Sequence, residues 1–111
     1  MQLSTEVVGD VGVIRVRGDV DSIEAPNLGA VVMELLGDRA RSLVIDCRDI
    51  DFIDSAGLQV MVQAHNEAHA HGGTVTVRRP SAFTHRLLQT VGLDTVLIID
   101  GLPEPDGTTV D

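Results

Sequence analysis

Three features of the sequence predict an α/β fold with a mixed, mostly parallel sheet opened by an N-terminal β-hairpin. Two β-branched-rich runs, residues 3–8 and 11–17, are separated only by Gly9-Asp10, a short polar break suited to a hairpin connection. Three later stretches carry apolar residues at helical spacing, and each closes on glycine: Gly37, the pair Gly72-Gly73, and Gly92. Short apolar strands are predicted between and after them at 42–47, 74–77 and 95–99. The order is β-β-α-β-α-β-α-β, and strands alternating with helices run parallel through right-handed crossovers.

Each element has its own local reason. In the second strand Val11, Val13, Ile14 and Val16 are too many apolar residues for one-sided burial, which places it inside the sheet. Gly18-Asp19-Val20-Asp21 ends it. Asp21 and Glu24 then have capping-box spacing, Pro26 falls in the first turn, and Leu28, Val31, Val32, Leu35 and Leu36 form one helical face up to Gly37 as a left-handed C-cap. After the strand at 42–47, an acid-rich loop over 46–54 is expected to be pinned to the core by Ile50, Phe52 and Ile53. The helix beyond Ser55 turns Leu58, Met61, Val62, His65 and Ala68 to one side. Arg78-Arg79-Pro80 breaks the next strand, and Ser81 caps a third helix with Phe83, Leu87, Leu88 and Val91 inward. Gly92-Leu93 has the form of a Schellman ending. A single domain over 1–99 and a loose acidic tail over 100–111, rich in Pro and Gly, are expected.

Composition narrows the function. The 111 residues carry 17 acids against 8 Lys and Arg, a net charge of −9, which argues against nucleic acid and anionic membrane as partners because both require a basic footprint. A protein with a basic or mixed surface fits better. Cys47 is the only cysteine, so no internal disulfide can form; at the end of a strand it reads as core filler in a reducing compartment. No basic n-region with an apolar h-region stands at the start and no run approaches a membrane helix, so a soluble cytoplasmic protein is expected. Only Phe52 and Phe83 are aromatic, which removes a stacking platform for single strands.

The strand-to-helix turn at Asp54-Ser55-Ala56-Gly57-Leu58 is the centre of interest. Either Asp54 or Ser55 fits the N-cap, and Gly57 allows close approach to the turn. A hydroxyl at the positive end of a helix tolerates an added phosphate. Hydrolysis by Ser55 lacks a G-x-S-x-G elbow and a neighbouring His. His65 and His69 have the i, i+4 spacing of metal ligands, but the Glu is misplaced for H-E-x-x-H and His65 falls on the inward stripe, so neither metal nor cofactor is expected. Loops after the parallel strands should share one edge, bringing Asp19, Asp21, Asp54, Ser55, Arg78, Arg79 and Ser81 together.

These residues resemble a known family. Gly18-Asp19-Val20-Asp21, Phe52-Ile53-Asp54-Ser55-Ala56-Gly57-Leu58, Gly72-Gly73, Pro80-Ser81-Ala82-Phe83, Arg86-Leu87-Leu88 and Gly92-Leu93 make the chain, roughly over 11–97, similar to the STAS-domain anti-sigma factor antagonists of bacterial partner-switching systems. The resemblance implies the STAS fold and a non-enzymatic regulator. It implies that Ser55 is phosphorylated by an anti-sigma factor serine kinase, which the unphosphorylated form binds to release a sigma factor, and that a PP2C-type phosphatase resets it. Asp19, Asp21, Asp54, Ala56, Gly57, Leu58 and Arg79 would form the surrounding partner and phosphate surface. Ala56 stands where many relatives have Ser or Thr, leaving Ser55 the sole hydroxyl of the motif, and Asp19 replaces the commoner Glu. The alternative within the family is a STAS interaction scaffold that never switches.

Overall fold

The computed structural model describes residues 1–101; of the tail expected over 100–111, Asp100 belongs to the last strand, and residues 102–111 lie outside the described residues. The elements are β1 (Gln2–Val8), β2 (Val11–Val20), α1 (Ala25–Asp38), β3 (Ser42–Ile53), α2 (Ser55–Ala70), β4 (Val75–Arg78), α3 (Ala82–Thr90), a 3-10 turn (Leu93–Thr95) and β5 (Ile98–Asp100). The five strands lie in the sheet in chain order, with β1 antiparallel to β2 and every other pair parallel. Each parallel strand is therefore added on the same side of the last, and right-handed crossovers place the three helices on one face.

That face is the core. Ile14, Ile45 and Val77 pair across three strands and are fully buried. They lie with Leu28, Val32, Leu35 and Leu36 of α1, Met61, Ala64 and Ala68 of α2, and Leu88 of α3 in one hydrophobic cluster. The opposite face carries Arg15, Asp46, Arg78 and Asp100 in one row across β2 to β5, with signs alternating from strand to strand. Opposite charges in directly facing positions favour this register modestly. Arg15 also meets Glu6 of β1 at 2.9 Å, and Arg78 Nε lies 3.6 Å from Asp100.

Several boundaries differ from expectation. Residues 46–53 are not a loop but the second half of β3, and β2 continues past Gly18 to Val20 beside it. Two register shifts let β3 spend eight residues, Asp46 to Ile53, where β2 spends six, Arg15 to Val20. Each bulge leaves an extra residue outward, so Cys47, Ile50 and Ile53 are buried at a spacing of three and Phe52 is 45% exposed rather than pinning the core. The Asp46 carboxylate accepts from the Arg48 N–H at 3.1 Å at the first bulge.

Gly37 does not cap α1. The helix runs through it to Asp38, because the Arg39 and Ala40 N–H groups both donate to Leu35 and Arg41 is drawn to the Asp10 carbonyl at 2.7 Å. In α3, Thr84 and Leu88 are buried while Phe83 and Val91 are exposed. Ser81 accepts from the Thr84 N–H at 3.0 Å and donates to its hydroxyl at 3.1 Å, which satisfies a buried Thr and fixes the rotation of this short helix. Gly92 is left-handed, with its N–H donating to Gln89, but Leu93 then opens the 3-10 turn, so β5 begins only at Ile98 and includes Asp100. The Gly72-Gly73 ending is a full Schellman motif: Gly73 N–H donates to Ala68 at 2.8 Å and Gly72 N–H to His69 at 3.0 Å.

Cys47 lies in mid-strand. Burial, aided by the Asp46 charge, pushes its thiol from 9.0 up to about 12. The folded state thus favours the protonated thiol, a contribution fully present below pH 9 and lost as pH rises through about 12. At pH 8 the native protein is expected to leave Cys47 unlabelled by a thiol reagent while the urea-unfolded chain reacts fully. Rapid labelling under native conditions contradicts this packing.

Candidate functional site

The site grows from the unequal lengths of the strands. β4 ends at Arg78, opposite Asp46, whereas β2 and β3 continue together until Val20 pairs with Ile53. Five further residues of β2 carry this extension about 17 Å beyond the last β3–β4 pair; β1 flanks it as far as Arg17, and from Gly18 to Val20 it is two-stranded. At its tip the Asp54 N–H donates to the Val20 carbonyl at 3.3 Å, tying the β3–α2 turn to the β2–α1 turn.

Of the two possible caps of α2, the structure selects Asp54. Its backbone is extended, and Oδ1 accepts from Ala56 N–H at 2.9 Å and Gly57 N–H at 3.4 Å. Ser55 is consequently the first helical residue, and its side chain is exposed. Ala56 is half-buried beside it. Gly57 and Leu58 are not surface residues: both are buried, and a Cβ at Gly57 would stand 2.5 Å from Ile53 Cγ1 and 3.0 Å from Val20 Cγ1. A glycine is needed there because the first turn of α2 rests directly on the closing pair of β2 and β3. Gly57 and Leu58 thus set the position of Ser55 from below.

Across the tip, Asp21 organises the second turn. Its Oδ1 accepts from Ile23 N–H at 3.1 Å and Glu24 N–H at 3.0 Å, and its carbonyl accepts from Ala25 N–H at 2.8 Å. The expected capping box is one-sided, since Glu24 makes no cap bond and its carboxylate instead accepts from Asn27 at 3.3 Å. Asp19 is exposed opposite Phe52. Arg79 does not join the group: it follows β4 and sits at the near end of the extension, held at φ 54° with its N–H donating to Asp100 at 2.7 Å. Arg78 and Ser81 stay with it. The common edge expected of these loops is split by the length of β2 and β3.

Two residues at the tip have no place in the sequence reading. Ile23 is 80% exposed, the most exposed large apolar side chain among the described residues, and Ser22 is exposed beside it. An isolated apolar residue between Asp21 and Glu24, outside any periodic stripe, is the signal that marks it. On the far part of α2, His65 is half-buried and stacks on exposed His69 with ring centroids 5.7 Å apart, while His71 meets Glu67 at 3.1 Å. Among the described residues no three His, Cys, Asp or Glu side chains converge to hold a metal ion.

A helix-covered sheet in this strand order, with its site at the tip of the second and third strands, is a STAS domain. The family model described as "Mlab, STAS domain" matches residues 3–100, and the chain belongs to that family. The anti-sigma-F factor antagonist RsfB of Mycobacterium tuberculosis is 30% identical over 84 residues, covering 76% of this chain and 68% of that protein. The crystal structure of an anti-sigma factor antagonist from Mycobacterium paratuberculosis superposes with a TM-score of 0.75 at 27% identity, over 96% of this chain and 88% of the other. The Bacillus cell fate determinant SpoIIAA in its phosphorylated form shares the fold, with a TM-score of 0.74 at 20% identity over 88% and 90% of the two chains. No helix among the described residues is long and apolar enough to cross a membrane.

Losing the α2 cap leaves two N–H groups without their acceptor. Asp54→Ala is expected to destabilise the fold by about 1 kcal/mol, and Asp54→Ser, which can still cap, to avoid most of that loss. Urea unfolding of both variants measures this. Equal destabilisation by Ser and Ala would mean that the charge of Asp54, rather than its cap bond, matters.

Proposed function

We propose that this chain is an anti-sigma factor antagonist whose unphosphorylated form binds an anti-sigma factor serine kinase and frees a sigma factor. Phosphorylation of Ser55 by that kinase ends the binding, and a PP2C-type phosphatase restores it. In this reading residues 1–99 act as one non-enzymatic domain in the cytoplasm. The observation that carries the proposal is the division of labour at the α2 N-terminus: Asp54 caps the helix, and the exposed Ser55 hydroxyl is left out of the cap bonds. The mycobacterial relative named as an anti-sigma-F factor antagonist supports it, as does the existence of SpoIIAA in a phosphorylated form.

The electrostatics suit a switch by exclusion. A phosphate on Ser55 adds ~1.5 to 2 negative charges at the positive end of α2, where the helix dipole favours it by about 0.3–1 kcal/mol. The Ala56 and Gly57 N–H groups are already taken by Asp54, however, and Asp54 and Asp21 repel the newcomer. These local effects oppose one another, so the domain itself changes little in stability. A partner surface shaped to a neutral hydroxyl has no such compensation. Placing an unpaired dianion against it costs several kcal/mol, or ~10²-fold and more in affinity.

The test uses the purified anti-sigma serine kinases of the organism that encodes this chain. Mass spectrometry after incubation with ATP is expected to find phosphate on Ser55. In titrations, Ser55→Ala should bind the same kinase and stay bound in the presence of ATP, and Ser55→Asp should lose about 10²-fold in affinity. Binding by the wild-type chain with no phosphate on Ser55 would instead make it a STAS scaffold that does not switch. Equal labelling of the Ser55→Ala variant at another residue would remove Ser55 as the acceptor.

A further inference from the structure

A groove of about 500 Å3 runs between α1 and α2, lined by Ala25, Gly29, Ala30 and Met33 on one side and Ala56 and Val60 on the other. Its lining carries no charged residue, and Ser22, Gln59 and Gln63 are its only polar members, in a chain where 25 of 111 residues (8 basic and 17 acidic) are charged. One end opens at Ser22 and Ala56, the residues flanking the Ser55 tip, so the groove and the hydroxyl belong to one continuous surface. Exposed Ile23 adjoins that end, and Met33, 42% exposed, also lines the groove.

Gly29 is the informative residue. It lies inside α1, where glycine is a poor choice, and its φ is not in the left-handed region. Packing does not demand it either: a Cβ would meet Gln63 Oε1 at 3.7 Å and Val60 Cγ2 at 3.8 Å, ordinary van der Waals separations. What its missing side chain does is deepen the groove.

We infer that this groove is the specificity pocket of the Ser55 surface, receiving an apolar side chain of the same anti-sigma kinase that reads the Ser55 hydroxyl. The inference rests on the proposed partner-switching function. A partner that senses a phosphate on Ser55 must lie across the first turn of α2, and the groove begins on that turn at Ala56. Its neutral lining accepts an aliphatic or aromatic side chain and desolvates no charge, whereas the acids around Ser55 supply the charge-sensitive part of the contact. Anchor in the groove and sensor at Ser55 are then separate functions of one surface.

The experiment titrates the purified anti-sigma kinase that binds the wild-type chain with four variants: Gly29→Ala, Ala30→Phe, Ser55→Asp and, as a control, Ala70→Phe, whose exposed site lies outside the groove. Gly29→Ala should raise the melting temperature by about 2–5 °C and yet weaken binding about fourfold. Ala30→Phe, at an exposed position where added bulk can enter the groove, should weaken binding about 10- to 100-fold with a native circular dichroism spectrum. Ala70→Phe should bind as wild type. If both groove variants bind within twofold of wild type while Ser55→Asp still loses binding, the groove inference is overturned and the switching function stands. If no kinase binds the wild-type chain, the switching function fails and the groove assignment with it.

Discussion

The extension of β2 and β3 beyond β4 is the constraint on which the rest of the structure depends. Past Arg17, where β1 ends, no third strand flanks it, and this two-stranded tip is closed by its own turns: the Val20–Ile53 pair, the Asp54 N–H on Val20, and Gly57 seated on both strands. Together they fix where α2 starts. Because the chain commits Asp54 to the cap and Gly57 to the packing, Ser55 between them is turned outward on a base that cannot easily shift. A modifiable hydroxyl on a rigid support is what an exclusion switch requires.

Charge is distributed to match. The open face of the sheet holds alternating signs in register, Arg15, Asp46, Arg78 and Asp100, which neutralise one another locally. The acids at the tip have no basic neighbour from β4, since Arg78 and Arg79 stop short of it. Asp21 and Asp54 spend their carboxylates on backbone N–H groups of their turns, so they shape the tip as well as charging it. Between the two helices the surface is instead neutral and mainly apolar. One end of the molecule therefore presents a hydroxyl, a set of acids and an apolar groove side by side.

The element order, the parallel sheet and the Ser55 turn were legible because their signals are local: hairpin break, helical stripes, cap residues and the motif itself. The second half of β3 was not. Cys47, Ile50 and Ile53 recur every third residue, a spacing that belongs to neither an ordinary strand nor a helix and arises only from two bulges against β2. Without that length Arg79 would lie beside Ser55; the longer strands set them apart. Gly37 looked like a cap because glycine so often is one, but a long-range bond from Arg41 to Asp10 ends the helix instead. Phe83 and Val91 looked inward by hydrophobicity, yet the Ser81–Thr84 pair decided the rotation of α3. For β3 and Gly37 a register shift or a long-range hydrogen bond overrode a local preference; in α3 one local signal, the cap, overrode another, the hydrophobicity. The groove was invisible for a related reason: it lies between two helices, and only their packing reveals that Gly29 is not needed by the fold.

Amide hydrogen exchange on the phosphorylated and unphosphorylated protein tests the central claim, that Ser55 acts from a rigid tip by exclusion. The account predicts that changes are confined to the first turn of α2 and the adjoining β2–α1 turn, with β4, α3 and the core of β3 unaltered and the melting temperature nearly the same. Exchange changes that spread to β4 or α3, or a large fall in melting temperature, would contradict it and make the phosphate a remodeller of the fold.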